Sequence, residues 1–212
     1  MGKAEISRAT LGRIPMYLKY LRSISPEIRN ISATTIANNI GLGEVQVRKD
    51  LCQLCGAGKP KTGYLAADLT KSLEQFVTCK NGAAIIIGAG KLGRALLDYS
   101  GFDLFGLSII AAFDIAENEM ELSPQEKPIL PMSNLAQFCK ENNVKIGIIS
   151  VPTESAQDVC NQLCDNGIKA IWCFAPCQLY KPSDVIVEYE NLALSLAHLN
   201  MSVLKNKTEE QA

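Results

Sequence analysis

Residues 84–97 read Ala84-Ile85-Ile86-Ile87-Gly88-Ala89-Gly90-Lys91-Leu92-Gly93-Arg94-Ala95-Leu96-Leu97, and few folds accommodate such a run. A short β-branched apolar stretch predicts a buried strand, the residues after it predict a helix, and a G-x-G-x-x-G lies between them. In that context each glycine has its own task. Gly88 permits the tight turn out of the strand, Gly90 lets a pyrophosphate approach the backbone, and Gly93 lets the helix pack closely on the sheet. Ala89, Lys91 and Leu92 complete the loop, and the first N–H groups of the new helix face the phosphates. A second strand signal over residues 107–113 ends in Asp114, followed by Ile115. That acid stands about twenty residues past the last glycine, where a carboxylate accepts from the adenosine ribose diol and repels a 2′-phosphate. The combination implies an NAD(H) site that includes Asp114 and Ile115.

The rest of the chain after residue 81 alternates strand and helix. Strands are expected at 83–87, 107–113, 145–151 and 170–174, with a further one at 184–188; helices are expected at 91–99, 134–142 and 154–166. This is the α/β pattern of a parallel sheet wound by right-handed crossovers, a Rossmann-like dinucleotide-binding domain over 81–189. Ligands of such sheets lie past the carboxyl ends of the strands. Two apolar loops fall there, one with Val151 and Pro152, the other with Phe174, Ala175 and Pro176. Both suit a nicotinamide ring of little formal charge. An NAD-dependent dehydrogenase is the enzyme alternative, but it needs an acid or base at that ring. The single histidine, His198, lies in the terminal segment, and only Tyr180 stands near either loop, so no catalytic residue is assigned. CoA or nucleotide binding on a similar domain is the third alternative.

The first third of the chain has a different charge. Residues 1–64 hold ten Lys/Arg against four Asp/Glu, while the whole protein of 212 residues has a net charge of −1. A basic module on an acidic remainder points to a polyanion partner. Ile14, Tyr17, Leu18, Leu21 and Ile24 predict a first helix with Pro15 near its start, ending before Ser25-Pro26. A helix–turn–helix follows. Ser32 caps a helix over 33–40, Gly41-Leu42-Gly43 turns, and a second helix over 44–54 buries Val45, Val47, Leu51 and Leu54. Its exposed Gln46, Arg48 and Lys49 suit adenine, guanine and phosphate in a major groove. Residues 56–64, Gly-rich and basic, predict a hairpin wing with Lys59 and Lys61 on phosphates and Tyr64 also expected at the DNA. Arg13 is a further cation expected at the DNA. A helix over 68–79 leads to a domain boundary at Lys80-Asn81-Gly82, so the winged-helix domain spans 1–80.

Eight cysteines occur with no apolar leader, which predicts reduced thiols rather than disulfides. Cys52 and Cys55 form the one C-x-x-C, and with a single histidine no zinc site is expected. No apolar run is long enough to span a membrane, and cytoplasm is the default location. Residues 189–205 predict a terminal helix so apolar around its circumference (Leu192, Leu194, Leu196, Leu199, Met201, Val203, Leu204) that it needs a second surface, such as a dimer partner. It belongs to a closing segment over 190–212, whose last residues, 206–212, are expected to be disordered.

A basic helix–turn–helix with a wing, a dinucleotide domain and a terminal helix, in that order, resembles the Rex family of bacterial redox-sensing transcriptional repressors. The similarity rests on Gln46-Val47-Arg48-Lys49-Asp50-Leu51, Gly63-Tyr64, residues 88–93 with Ala111-Ala112-Phe113-Asp114, Val151-Pro152, Gly167-Ile168-Lys169 and Phe174-Ala175-Pro176. The resemblance implies a homodimer on double-stranded, near-palindromic operator DNA that releases it when NADH binds, with a terminal helix swapped into the partner. It also implies a switch formed by an Arg of the first helix, a Tyr of the nucleotide domain and an Asp of the terminal helix; the matching positions are Lys19, Tyr99 and Asn191, and Tyr99 joins the cofactor residues. Two stretches depart from the family pattern: the wing approach reads Cys52-Gln53-Leu54-Cys55, and Cys173 precedes Phe174.

Overall fold

The computed structural model describes residues 6–77, 82–115 and 121–209. The chain divides into two compact units, one of Met1–Asn81 with Gly101–Leu107, the other of Gly82–Ser100 with Ser108–Ala212. Residues 101–107 thus join the first unit although sequence reading gives them to the second. The reason is Phe105, which packs on the first unit's core. Of the expected boundary at residues 80–82, Lys80 and Asn81 lie outside the described residues.

The first unit contains helices α1 (Arg8–Ser23), α2 (Ala33–Ile40), α3 (Glu44–Cys55) and α4 (Ala66–Val77), with strands β1 (Asn30–Ile31) and β2 (Tyr64–Leu65) paired antiparallel. The Ser7 hydroxyl accepts from the Thr10 N–H at 3.1 Å and starts α1 a full two turns before Pro15. Proline is therefore inside the helix rather than near its start. The backbone bond it cannot make would run to the carbonyl of Leu11, an exposed residue. Ser32 caps α2 by accepting from Thr35 N–H, and Gly41 closes that helix at φ +69°. On α3, Val47, Leu51 and Leu54 are buried as expected, but Val45 is 66 % exposed. Two residues apart on a helix face opposite sides, so Val45 and Val47 cannot both point inward.

One polar group sits within this apolar packing. Asp50 of α3 is 2 % exposed. Its Oδ2 accepts from Arg13 Nε and from the Tyr17 hydroxyl, each at 2.6 Å. Its Oδ1 accepts from Arg13 (2.9 Å), from Gln46 Nε2 (2.9 Å) and from Thr10 Oγ1 (3.2 Å). A carboxylate so placed ties α3 to α1 at a fixed rotation and leaves no lone pair stranded.

The second unit is a seven-stranded sheet in the order β5-β6-β4-β3-β7-β8-β9, formed by β3 (Gly82–Ile87), β4 (Leu107–Asp114), β5 (Glu121–Leu122), β6 (Pro128–Pro131), β7 (Ile146–Ile149), β8 (Ala170–Cys173) and β9 (Ile186–Tyr189). Pairs β3/β7, β7/β8, β8/β9 and β4/β6 are parallel; β5 runs antiparallel on β6. Sequence reading misses β5 and β6. The first is two residues long, and the second begins and ends in proline, which demotes a strand signal. Helices α5 (Lys91–Leu97), α6 (Leu135–Glu141) and α7 (Thr153–Asp165) cross between strands. One core joins Ile85, Ile87, Phe113 and Ile149 of the sheet to Cys139 of α6 and Val159, Cys160 and Leu163 of α7. From β3 the chain winds toward β4 and β6, then returns to the other side of β3 at β7, so the order reverses between β3 and β7 and opens a crevice at their carboxyl ends. Helix α8 spans Leu192–Glu209 and so continues past residue 205, where disorder was expected; no Gly or Pro interrupts it. Residues 210–212 lie outside the described residues.

The Asp50 cluster generates a stability prediction. Burial opposes its ionisation, but hydrogen bonds from Arg13, Tyr17 and Gln46 outweigh burial and hold its pKa below the ordinary 3.8. A folded-state pKa below the unfolded one contributes stability that is complete above the unfolded value and lost as pH falls through the folded value. Asp50→Ala is expected to lower the unfolding free energy by about 3 kcal/mol at neutral pH, with the difference from the parent shrinking below about pH 4. Urea melts of both proteins across pH measure it.

Candidate functional site

The turn between β3 and α5 is built on three glycines with three different surroundings. Gly88 has φ +104°, and a Cβ on it would stand 2.7 Å from the Ser150 carbonyl oxygen. A Cβ on Gly93 would stand 1.9 Å from the Gly88 carbonyl oxygen, because α5 crosses directly over the turn. A Cβ on Gly90 would meet nothing within 4 Å. Packing therefore demands Gly88 and Gly93 but not Gly90, whose bare backbone faces open space.

Ala89, between Gly88 and Gly90, is held through both of its backbone polar groups. Its N–H donates to Asp114 Oδ2 at 2.6 Å. Its carbonyl accepts from Arg94 Nε at 2.8 Å, while the other two Arg94 nitrogens donate to both oxygens of Glu121 at 2.8 and 2.7 Å. Those hydrogen bonds hold the Glu121 carboxyl below its ordinary pKa. Across the crevice, Ser150 Oγ donates to the Gly88 carbonyl at 2.8 Å and stitches the end of β7 to the turn.

The turn borders a cavity of about 400 Å³. Of the sequence-predicted cofactor residues, Gly88, Gly90, Asp114, Ile115, Val151 and Pro152 line it. Ala89 is buried behind it, Gly93 is buried where α5 meets the turn, Leu92 is half-buried and Lys91 is exposed. The second apolar loop stands apart from the cavity: Ala175 is buried, Pro176 exposed, and the Phe174 ring lies 4.5 Å from that of Trp172. Tyr99 follows α5 and is 59 % exposed. The structure thus joins Val151 and Pro152 to Asp114 and does not bring Phe174 to them. Sequence reading missed Met132, Ser150, Ser155, Asp158 and Gln162, all of which line the cavity. The last three had a legible signal, since they recur at i, i+3 and i+7 on the helix after β7.

On the first unit the exposed face of α3 carries Gln46, Arg48 and Lys49. Arg48 pairs with Glu44 one turn earlier. Gln46 spends one amide N–H on Asp50, and Arg13 is bidentate to the same carboxylate with a side chain only 20 % exposed. Both residues therefore hold α3 in place through Asp50. The wing closes through paired backbone bonds between Lys59 and Gly63, each 2.8 Å. Lys61 at its tip has φ +65°. A cleft of about 410 Å³ separates wing from helix, lined by Arg48, Lys59, Lys61, Cys52 and Tyr64. The Tyr64 hydroxyl donates to the Gly56 carbonyl at 3.1 Å. The described cysteines are free thiols; burial pushes Cys55 up to about 11. Among the described residues no group of three His, Cys, Asp or Glu is arranged to hold a metal. Asn191 accepts from the N–H groups of Ala193 and Leu194 and so caps α8; Lys19 stands exposed on α1.

Comparison with known proteins agrees with this geometry along the whole chain. A family described as putative DNA-binding protein N-terminus matches residues 5–52, and one described as CoA binding domain matches residues 79–177. The redox-sensing transcriptional repressor Rex of Clostridium botulinum is 37 % identical over 98 % of this chain and 99 % of its own. The chain belongs to the Rex family of redox-sensing transcriptional repressors. Among solved structures it is similar to RSP in complex with β-NAD+ and operator DNA (30 % identity, TM-score 0.79, 99 % of this chain and 97 % of that one). It is likewise similar to RSP, described as a Rex-family repressor, in complex with β-NADH (29 % identity, TM-score 0.72, 99 % of both chains). Family membership sets aside the dehydrogenase alternative, and the whole-length relatives are redox sensors rather than CoA-binding proteins.

The residues present fit a dinucleotide: a turn whose middle glycine is open, a carboxylate beside it, and a cavity beyond. Gly90 and Gly93 separate binding from folding. Gly90→Val is expected to leave thermal stability close to the parent, since its Cβ has room and its φ of −68° is ordinary, while abolishing NADH binding. Gly93→Ala is expected to lose both, because α5 must lift off the turn. Thermal melts and fluorescence titrations with NADH measure the two quantities.

Proposed function

We propose that this Rex-family chain is a DNA-binding repressor that reads the balance of NADH and NAD+, holding an operator when NADH is scarce and releasing it when NADH binds. The observation that carries the reading is the pairing in one chain of a basic helix-and-wing face with an open glycine turn beside Asp114. The named activity of the Clostridium botulinum relative and the two RSP complexes support it. No step of bond-making is required, and the protein is not an enzyme.

In this reading Arg48 and Lys49 on α3 enter a major groove, and Lys59 and Lys61 grip phosphates from the wing. Gln46 keeps its amide oxygen and one N–H for a base edge, while Arg13 positions α3 through Asp50. In the second unit the backbone at Gly88 and Gly90 receives the pyrophosphate, and Asp114 takes the ribose diol. NADH presents a neutral ring and NAD+ a charged one, so apolar surroundings at the Phe174 loop, apart from the Asp114 cavity, favour the reduced form. Binding moves the protein only to the extent that one conformation holds NADH better. A homodimer completes the reading. Leu192, Leu194, Leu196 and Leu199 of α8 are each more than 60 % exposed in the single chain, and a second copy covers them, which matches a palindromic operator half-site for half-site. A cytoplasmic location fits DNA as the partner.

Filter or anisotropy binding to an operator-like palindrome is expected to show tight binding without NADH and release on its addition; binding indifferent to NADH overturns the proposal. In the same assay Arg48→Ala is expected to lose sequence discrimination by about 1–3 kcal/mol, and Lys61→Ala to weaken all sequences alike and lower the salt slope by about one. Asp114→Ala is expected to weaken NADH and narrow the gap between NADH and NADPH. A parent protein that prefers NADPH would refute the role given to Asp114.

A further inference from the structure

The cavity beyond the glycine turn has a polar wall that neither phosphate nor ribose accounts for. Ser155, Asp158 and Gln162 lie on α7 at i, i+3 and i+7, a spacing that aligns them on one helical face, and all three line the cavity with Gly88, Gly90 and Asp114. Among the described residues none of the three side chains makes a hydrogen bond or ion pair with the protein. Their neighbour Gln157 shows the contrast. It donates to Asn161 and the Tyr180 carbonyl and accepts from the Tyr180 N–H, all within 2.9 Å. On the buried side of α7, Ala156, Cys160 and Leu163 pack into the core, which fixes the rotation of the helix and keeps the polar row turned to the cavity. The rest of that wall is apolar, formed by Ile115, Met132, Val151 and Val159.

We propose that this row reads the purine base of the dinucleotide and that Asp158 selects adenine. The inference rests on the NAD(H) reading above. With the pyrophosphate at Gly90 and the ribose diol at Asp114, the base occupies the space past Asp114, where Ile115 and Met132 cover its faces and α7 meets its edge. Adenine presents an exocyclic amine, a donor for the Asp158 carboxylate. Hypoxanthine presents a carbonyl oxygen at the same place, and two acceptors repel. Ser155 and Gln162, each both donor and acceptor, serve the ring nitrogens. Asp158 is thus a specificity-determining residue, distinct from Asp114, which discriminates at the ribose.

Fluorescence titration of the full-length protein with NADH and with its hypoxanthine analogue, reduced nicotinamide hypoxanthine dinucleotide, tests this. The parent is expected to bind NADH about tenfold more tightly, the scale of one hydrogen bond to a charged group. Asp158→Ala is expected to bind both ligands alike. Asp158→Asn is expected to narrow the ratio, because an amide donates to the hypoxanthine oxygen as readily as it accepts from the adenine amine. Asp158 is exposed and makes no contact the fold needs, so its variants keep the parent's thermal melt. If NADH binds but the parent does not discriminate, or Asp158→Ala keeps the parent's ratio, the base-reading role is overturned while the cofactor reading stands. If the parent binds neither ligand, the cofactor reading itself fails and this inference with it.

Discussion

The close approach of α5 to the end of β3 is the constraint on which the nucleotide-binding half depends. At Gly93 the helix passes so near the Gly88 carbonyl that no side chain fits between them. The contact presses the start of α5 into the crevice where the strand order reverses, and it forces the intervening residues into one shape. Ala89 is then clamped at both ends, by Asp114 from β4 and by Arg94 from α5 itself. Arg94 extends the clamp to Glu121 on the strand beyond β6. The open face of Gly90 is a by-product of this geometry: its neighbours are held so firmly that nothing else can fill the space above it. Pre-organisation of this kind removes an ordering cost from binding.

The DNA-binding half depends on a different device. A carboxylate at the centre of an apolar interface is tolerated only if it is fully satisfied, and Asp50 meets that condition with donors from two helices. Burying it costs solvation, but the geometry that satisfies it admits few rotations of α3 against α1. The recognition helix thus gains a fixed pose, and Arg13 and Gln46 are drawn from the population of surface polar groups into a structural task. Arg48 and the wing cations Lys59 and Lys61 face one cleft, and Lys49 is exposed on the same helix as Arg48. The strong positive balance of residues 1–64 is accordingly only partly a binding charge, since at least Arg13 is neutralised from within.

These two devices divide the labour of a sensor. Each acts within its own unit, one through Asp50 and the other through the contact of Gly93 with Gly88. A ligand shifts a protein between states only by its difference in affinity for them, which places a premium on a cofactor site whose own shape is already settled. The apolar exposure of α8 belongs to the same division. Its leucines are exposed in the single chain, so folding of the second unit does not bury them.

Much of this was legible from the residues alone. The G-x-G-x-x-G between a β-branched run and a helix, with Asp114 at the end of the next strand, is a local pattern whose requirements are steric, and steric requirements are written in residue types. The Ser32 cap, the Gly41 turn and the apolar spacing of α3 are local in the same sense. The failures share the opposite property. Pro15 sits in mid-helix because a cap eight residues upstream, at Ser7, set where α1 begins. Arg13 and Gln46 look like free surface groups until α1 and α3 meet around Asp50. The short strands β5 and β6 exist because an edge was available to pair with, not because their residues favour extension. Val151 and Phe174 follow neighbouring strands, yet only Val151 reaches the cavity beside Asp114. Residue types determine which backbone conformations and which burial patterns are affordable, and in this chain that was enough to name the units and the glycine turn. Which polar groups spend their hydrogen bonds on each other, and which are left to face a ligand, was decided only when segments distant in sequence came within bonding distance.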